Sequence, residues 1–540
     1  MKKIFFLFAF LISLPLFAQE DAWVFLTDKP DSATYLAAPL TMLSQRALDR
    51  RIRQSIVLDS KDVPVDAVYY SQVKNATGIT VLAKSKWLNA IHVQGTQVDI
   101  NNLKSFSFVD TIEFANNGLN AKRRVTQGSS NTKNKNKFAE VSTSFDYGTA
   151  ENQITMLKGD YLHQEGFTGT GMQIAVIDAG FPNVNTLAAF KRLRDNDQIL
   201  GGYDFVNRSP SFYGGHNHGT NVLSDIGGYI EGQFVGTAPD ASFYLFRTED
   251  AANEVPLEES LWVEAAEKAD SLGVDVINTS LGYTTFDNAS YNYSYADMDG
   301  NTAFISRGAE IGASRGMILV NAAGNSGNDS WKYMGAPADA AAVFTVGAVN
   351  AAGTIASFSS FGPTADNRIK PDVLAQGQSV YVISHTSGNP ITSNGTSFSS
   401  PVMTGVVACF WQAFPSLTST QIMQRIRESA DRYSDPNDQY GYGIPNFETA
   451  YAAVLNVDKE HFMRSTTIYP NPINNSFSIQ TNTNDLSGLS IQIYNILGKK
   501  VYEERYLKSK TIYVSGLVSG IYILKIMNET QQKTIKLVKR

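Results

Sequence analysis

Between about residues 150 and 456 short apolar runs alternate with longer amphipathic ones, and this limits the fold more than any other feature. MQIAVID (172–178), VDVINTSLG (274–282) and MILVNAAGN (317–325) read as buried strands. SLWVEAAEKADSLG (260–273) reads as an amphipathic helix stopped by Gly273, and TAFISRGAEIGASRG (302–316) as a second helix. Strands that are apolar throughout and separated by helices predict a parallel sheet covered on both faces, an α/β fold. In such sheets ligands and chemistry collect at the carboxyl ends of the strands.

The flanks follow other patterns. Before the alternating region, AWVFLTD, ITVLA, WLNAIHVQG and SFVDTIEFA read as strands, and PVDAVYYSQV (with Pro64 in its first turn) and QVDINNLKSF as helices. Their order predicts a small ferredoxin-like α+β domain over 19–120, with 31–60 as an extra element after the first strand. AKRRVTQGSSNTKNKNKFAE (121–140) lacks hydrophobic periodicity, and 121–149 reads as an exposed linker of the kind proteases cut. After a second linker (457–467), residues 468–540 give only short strands between Asn-, Gly- and Ser-rich turns, a small all-β sandwich. At the other end, MKK followed by IFFLFAFLISLPLFAQ reads as a signal peptide over 1–18, with an anchor or a buried helix as the alternative. No later run is long and apolar enough for a transmembrane helix.

Composition sharpens this only in places. A net charge of -6 without a basic stripe argues against nucleic acid as partner. The single cysteine, Cys409, excludes an intramolecular disulfide in a chain read as exported.

Four segments carry chemistry. Asp178 ends the strand in AVIDAG, and His218 opens a predicted helix in GGHNHGTNVLSDIGG. Asn325 follows a strand in VNAAGNSG, and Ser397 lies in NGTSFSSP at the mouth of an apolar helix. A hydroxyl, a base, a carboxylate to hold the base's tautomer and an amide for the oxyanion are the parts of an acyl-transfer site. Each has a plainer reading: Ser397 as a helix cap, Asp178 as a strand-end cap, Asn325 as a turn residue. His216, two residues from His218, is the rival imidazole. The order Asp…His…Ser differs from the Ser…Asp…His order of G-x-S-x-G hydrolases.

AVIDAG, HGTNV, SLGY, AAGNSG and NGTSFSSP, in that order, resemble the motifs of subtilisin-like (subtilase) serine proteases, and GYGIPNFETAYAAV resembles the close of that domain. The resemblance covers about 300 residues, read here as a catalytic domain over 150–456. It implies a serine endopeptidase acting on polypeptides, with Ser397 as nucleophile, His218 as general base, Asp178 as orienting carboxylate and Asn325 as oxyanion-hole donor. Ser280, Leu281 and Gly282 resemble the strand edge that pairs with substrate, and Ala322, Ala323 and Gly324 the facing wall of the pocket. Family members often carry Ser or Thr after the Asp, where this chain has Ala179, which implies one donor fewer for the carboxylate; Phe398 and Ser399 replace a common Met and Ala. The alternative is an exported surface binding protein on a dead protease scaffold, whose mark would be a missing member of the set; none is missing.

The chemistry needs no cofactor. Structural calcium is common in the family, and YADMDGNT (295–302) offers Asp297, Asp299 and Asn301 at alternating positions without the full loop pattern, so a solvated turn stays the competing reading. The first domain resembles the inhibitory prodomain of these enzymes. YPNP, NILGKKV, LVSGIYILKI and KTIKLVKR resemble the C-terminal sorting domain of type IX secretion substrates, a carbohydrate- or protein-binding sandwich being the other possibility. The resemblance implies export across the outer membrane by that machinery and a secreted or surface-attached product.

Overall fold

The computed structural model describes residues 19–120, 145–455, 466–480, 489–505, 507, 509–527 and 532–540. The leader read over 1–18, most of the first linker and nearly all of the second lie outside them. The chain divides into two units, Met1–Glu448 and Thr449–Arg540.

The first unit opens with a four-stranded antiparallel sheet in the order Ile79–Ser85, Ala90–Thr96, Gln19–Leu26, Val109–Phe114. Side chains alternate between its faces. Ala22, Val24, Ile91, Val93 and Ile112 pack with Val73 and Ile100 of the domain's own helices. The opposite face presents Trp23, Ala83 and Ala90, which join the core of the larger domain. Trp23 stacks on Phe304 with ring centroids 4.8 Å apart, and its indole N–H donates to Ser260 Oγ at 2.8 Å. The helix expected from Pro64 begins later, as Ala67–Lys74. Asp66 accepts hydrogen bonds from Val68 and Tyr69 N–H, and this cap outranks proline's tolerance of a first turn.

The rest of the unit is built on a sheet of seven parallel strands among the described residues. Their order is Val373–Gln376, Phe344–Val349, Ile318–Ala322, Val276–Thr279, Gln173–Asp178, Ser242–Arg247, Ile199–Asp204. Successive strands run outward from Val276–Thr279 on one side, while Gln173–Asp178 and the two strands that follow it lie on the other. Strand order therefore reverses between Gln173–Asp178 and Val276–Thr279, the kind of crevice where α/β sheets bind ligands. Helix Leu257–Leu272 ends where the sequence predicts, at Gly273 with φ 91°. A left-handed residue here suits glycine, and a Cβ would meet Arg46 and Ala47.

Helix Thr396–Ala413 is buried along nearly its whole length, between the sheet and helix His218–Gly227. A helix apolar on all sides belongs in the interior, as the run VMTGVVACFW predicts. Polar anchors fix its axial position. Asn278, fully buried in its strand, accepts hydrogen bonds from Ser400 Oγ at 3.1 Å and Thr404 Oγ1 at 2.9 Å. Cys409 is a buried free thiol, 3.3 Å from the Thr237 carbonyl, and burial pushes its pKa up.

The second unit holds two antiparallel sheets around one apolar core that includes Ile473, Phe477, Ile491, Leu524 and Leu537. LSIQIYNILGKKVYEE folds as a hairpin of Ser490–Asn495 and Lys500–Arg505 turning at Gly498 (φ 77°). All of KTIKLVKR but Arg540 lies within the strand Gln532–Lys539. No helix among the described residues is long and apolar enough to cross a membrane.

Gly405 lets the buried helix approach Thr237: a Cβ there would lie 2.9 Å from the Thr237 carbonyl carbon and closer still to its hydroxyl. Gly405→Val is expected to cost about 1–3 kcal/mol by overpacking, seen as a lower urea midpoint at unchanged slope.

Candidate active site

The crevice between the reversing strands is where the singled-out residues meet. Asp178 is the last residue of the strand Gln173–Asp178, and His218 the first of helix His218–Gly227. His218 Nδ1 lies 2.8 Å from Asp178 Oδ1 and 3.1 Å from Oδ2. The Asp178 side chain is 2 % exposed and that of His218 28 %, so the carboxylate sits beneath a ring that reaches solvent. Ala179, which lacks the family's hydroxyl, gives its own N–H to Asp178 Oδ1 at 2.7 Å. The main chain thus supplies a donor to the carboxylate.

Burial draws the His218 pKa down, but the Asp178 charge and hydrogen bond, with a contribution from Glu249, outweigh it and leave the ring above its ordinary value. His216 is exposed; its Nδ1 accepts the His218 N–H at 3.3 Å, and its contacts do not include Asp178. The Phe398 ring stands 5.8 Å from the His218 ring and covers one side of it.

Ser397 is the second residue of helix Thr396–Ala413, entered through Gly395 at φ 148°. Its Oγ donates to the Ser280 carbonyl at 3.3 Å, while Ser280 Oγ donates to the Ser397 carbonyl at 2.9 Å. Ser397 is therefore tied to the strand edge rather than to His218 in this state. The helix-cap reading of Ser397 finds no support, since the N-cap is Gly395 and the Ser397 hydroxyl is bonded to the Ser280 carbonyl. Asn325 is exposed, and its Oδ1 accepts the Thr396 N–H at 2.8 Å and the Thr396 hydroxyl at 3.1 Å. With its carbonyl end fixed, its amide nitrogen is the end left to serve a ligand.

A cavity of about 150 Å³ opens beside Ser397 and Asn325, lined by Ser280, Leu281, Gly282, Ala322, Ala323, Gly324, Asn325 and Ser397. All six residues expected to form a strand edge and a facing wall lie on it. Thr284, Ser326, Tyr333, Gly335, Ser360 and Thr396 also line it without having been singled out. Thr396 stands inside the quoted NGTSFSSP and was legible there. Tyr333 and Gly335 come from a segment without periodicity, which carries no such signal. The lining holds no charged side chain, so the cavity suits a neutral one.

In the turn around 295–302 the candidate calcium ligands bond to neighbouring residues of the same turn. Asp297 Oδ2 accepts both the N–H and the hydroxyl of Ser294. Asp299 accepts from Asn301 N–H, Thr302 N–H and the Thr302 hydroxyl, and the Asn301 side chain donates to the Asp299 carbonyl. These are turn-closing bonds, and no group of three acidic, His or Cys ligands forms among the described residues.

A parallel α/β sheet with a His–Asp pair, a helix-borne serine and a free amide at its switch point defines a serine hydrolase. The model of the subtilase family matches residues 169–443, and the chain belongs to that family. The model described as "Peptidase S8 propeptide domain, Bacteroidota" matches residues 21–135, and that of the secretion system C-terminal sorting domain residues 467–540. Subtilisin DY of Bacillus licheniformis is 31% identical over 300 residues, 55% of this chain and 97% of that protein. The thermostable alkaline protease of Halalkalibacterium halodurans is 27% identical over 383 residues, covering 71% of this chain and 88% of that one. A crystal structure of MycP1 with the N-terminal propeptide removed is 25% identical, covers 56% of this chain and 96% of that one, and gives a TM-score of 0.44. The protein is a serine endopeptidase made as a zymogen, with a propeptide that inhibits it and a type IX sorting domain that sends it outside the cell or to its surface.

Replacing Asp178 by Asn removes the main upward influence on His218 and leaves burial opposed only by the smaller contribution of Glu249. In a Ser397→Ala background, NMR titration of the His218 ring is expected to move from above 6.5 to below it.

Proposed function

We propose that Ser397, His218, Asp178 and Asn325 are the working residues of this endopeptidase. Ser397 Oγ attacks the scissile carbonyl, forming the C–O bond of a tetrahedral intermediate, and gives its proton to His218 Nε2. His218 then protonates the leaving amine as the C–N bond breaks; water, giving a proton to His218, attacks the acyl carbon, the bond to Ser397 Oγ breaks, and His218 returns the proton to Ser397 as the acid leaves. Asp178 holds Nδ1 protonated and steadies the imidazolium. Asn325 Nδ2 and the Ser397 N–H receive the oxyanion. The observation that carries this reading is the 2.8 Å His218–Asp178 bond beside a cavity lined by both Ser397 and Asn325. In this reading Ser397 Oγ leaves the Ser280 carbonyl for His218 when substrate binds, in line with catalytic hydrogen bonds that tighten only in the complex.

Substrate lies extended along Ser280–Leu281–Gly282, bonding through its main chain. Ala322–Ala323–Gly324 forms the opposite wall around the side chain before the cut. No step passes through a metal.

The chain reads as leader 1–18, prodomain 19–120, linker 121–149, catalytic domain 150–456, linker 457–467 and sorting domain 468–540. The strand order and antiparallel pairing of the first sheet, with helices on one face, support a ferredoxin-like prodomain. The paired sheets of the last unit support a β-sandwich. Self-cleavage falls within 116–150.

Ser397→Ala is expected to accumulate full-length precursor on immunoblots; normal processing in that variant overturns self-cleavage. Asn325→Ala, processed in trans, is expected to lose about 10²–10³-fold in kcat with little change in KM in a peptide-cleavage assay.

A further inference from the structure

The segment inserted after the first prodomain strand is not part of the sheet, and it makes the most deeply buried charged contacts between the prodomain and the catalytic domain. Helix Gln45–Arg53 starts at Ser44, whose hydroxyl caps it and whose N–H donates to the Ser271 carbonyl at 2.8 Å. Arg46 and Arg50, one turn apart on one face, reach the C-terminal end of the catalytic helix Leu257–Leu272. Arg46 donates to the Gly273 carbonyl at 2.9 Å and pairs with Asp275. Arg50 donates to the carbonyls of Val274 and Asp270 and pairs with the Asp270 carboxylate. Two guanidinium groups thus bind carbonyls at and just beyond the negative pole of that helix.

The pairing continues as an alternating chain that crosses the domain boundary repeatedly. Arg50 pairs with Asp270; Asp270 pairs with Arg51 at 2.7 Å; Arg51 pairs with Asp62 at 3.0 Å. Asp62 lies 3.4 Å from Arg315, which in turn meets Asp59 at 3.1 Å. Arg50, Arg51, Asp59 and Asp62 belong to the prodomain, Asp270 and Arg315 to the catalytic domain. The side chains of Arg50, Arg51, Asp62 and Asp270 are no more than 2 % exposed. Three cations and three anions leave the chain neutral, but separation strips Asp270 and Arg315 of every partner named. Removing one member of a buried pair leaves an uncompensated charge, so such contacts are far more sensitive to loss than exposed ones. Gln54, just after the helix, adds two further bridges, donating to the Gly316 carbonyl at 2.6 Å and accepting from Ser419 N–H at 2.9 Å.

We propose that helix Gln45–Arg53 is a latch: it holds the prodomain on the catalytic domain after the linker has been cut, with the acidic end of helix Leu257–Leu272 as its receptor. The sheet contact through Trp23 and Phe304 places the prodomain, and the latch sets how long it stays. Onset of activity then waits on the latch rather than on linker cleavage. This rests on the reading of the prodomain as the inhibitor of the site described above.

The test uses the full-length chain, allowed to process itself. The substitution Arg50→Gln lies in the part that is removed, so the mature enzyme is unchanged in sequence. For the unsubstituted chain, cut prodomain is expected to co-elute with the catalytic domain in size-exclusion chromatography, and activity to follow linker cleavage after a lag. For Arg50→Gln the prodomain is expected to elute separately and the lag to shorten at least tenfold, with equal final activity per titrated active site. Arg53→Gln, exposed on the same helix, is expected to behave as the unsubstituted chain. Co-elution and lag unchanged in Arg50→Gln overturn the latch. Where Arg50→Gln fails to process at all, the half-exposed Arg46→Gln decides in the same assay: a shorter lag supports the latch, an unchanged one overturns it. A chain that is cut and separated yet never active would instead refute the functional reading.

Discussion

Asn278 is the point on which the site depends. It is a polar side chain in a strand that is otherwise committed to the core, and its amide faces the helix that carries Ser397. Its carbonyl holds Ser400 and Thr404, and its amino group donates to Ser280 Oγ at 3.2 Å. Ser280 in turn holds the Ser397 carbonyl. An apolar helix packed on an apolar sheet can slide along its axis at small cost, because hydrophobic contact is not directional. Buried hydrogen bonds at three successive positions remove that freedom, since leaving any one unmade costs the desolvation of a polar group. The first turn of the helix, the strand edge and the cavity between them are therefore fixed relative to one another by one buried amide.

Much of this was legible in the letters. A continuous apolar strand such as QIAVID, a helix stopped by glycine as at Gly273, and the alternation of such strands with amphipathic helices are local signals, and the sheet follows from them. The site segments were legible for a different reason: they join unusual residue types, a His–Gly–Thr run or serines before a buried helix, to positions where strands end. Boundaries were less legible. Pro64 misled because a proline tolerates a first turn, whereas Asp66 actively caps one. The hairpin at Gly498 was hidden inside a run of strand-forming residues.

What the letters withheld was long-range and polar. Nothing local says that Ser397 rests on Ser280 in this state, that the Ala179 N–H bonds the Asp178 carboxylate, or that Tyr333 lines the cleft. The acidic turn at 295–302 had the spacing of a cation loop, yet its oxygens close the turn on themselves. The buried pairs between the inserted helix and Leu257–Leu272 join positions more than 200 residues apart in sequence. Each partner alone looks like an ordinary surface charge.

Cys409 points to a last property. Its sulfur lies deep inside the central helix, against a main-chain carbonyl and the His163 ring, and its proton is held more tightly than in a free thiol. Reactivity toward alkylating and oxidising agents follows the thiolate, which here is both scarce and unreachable. A single cysteine so placed leaves dithiothreitol no intramolecular sulfur–sulfur bond to reduce and peroxide no open thiol to oxidise.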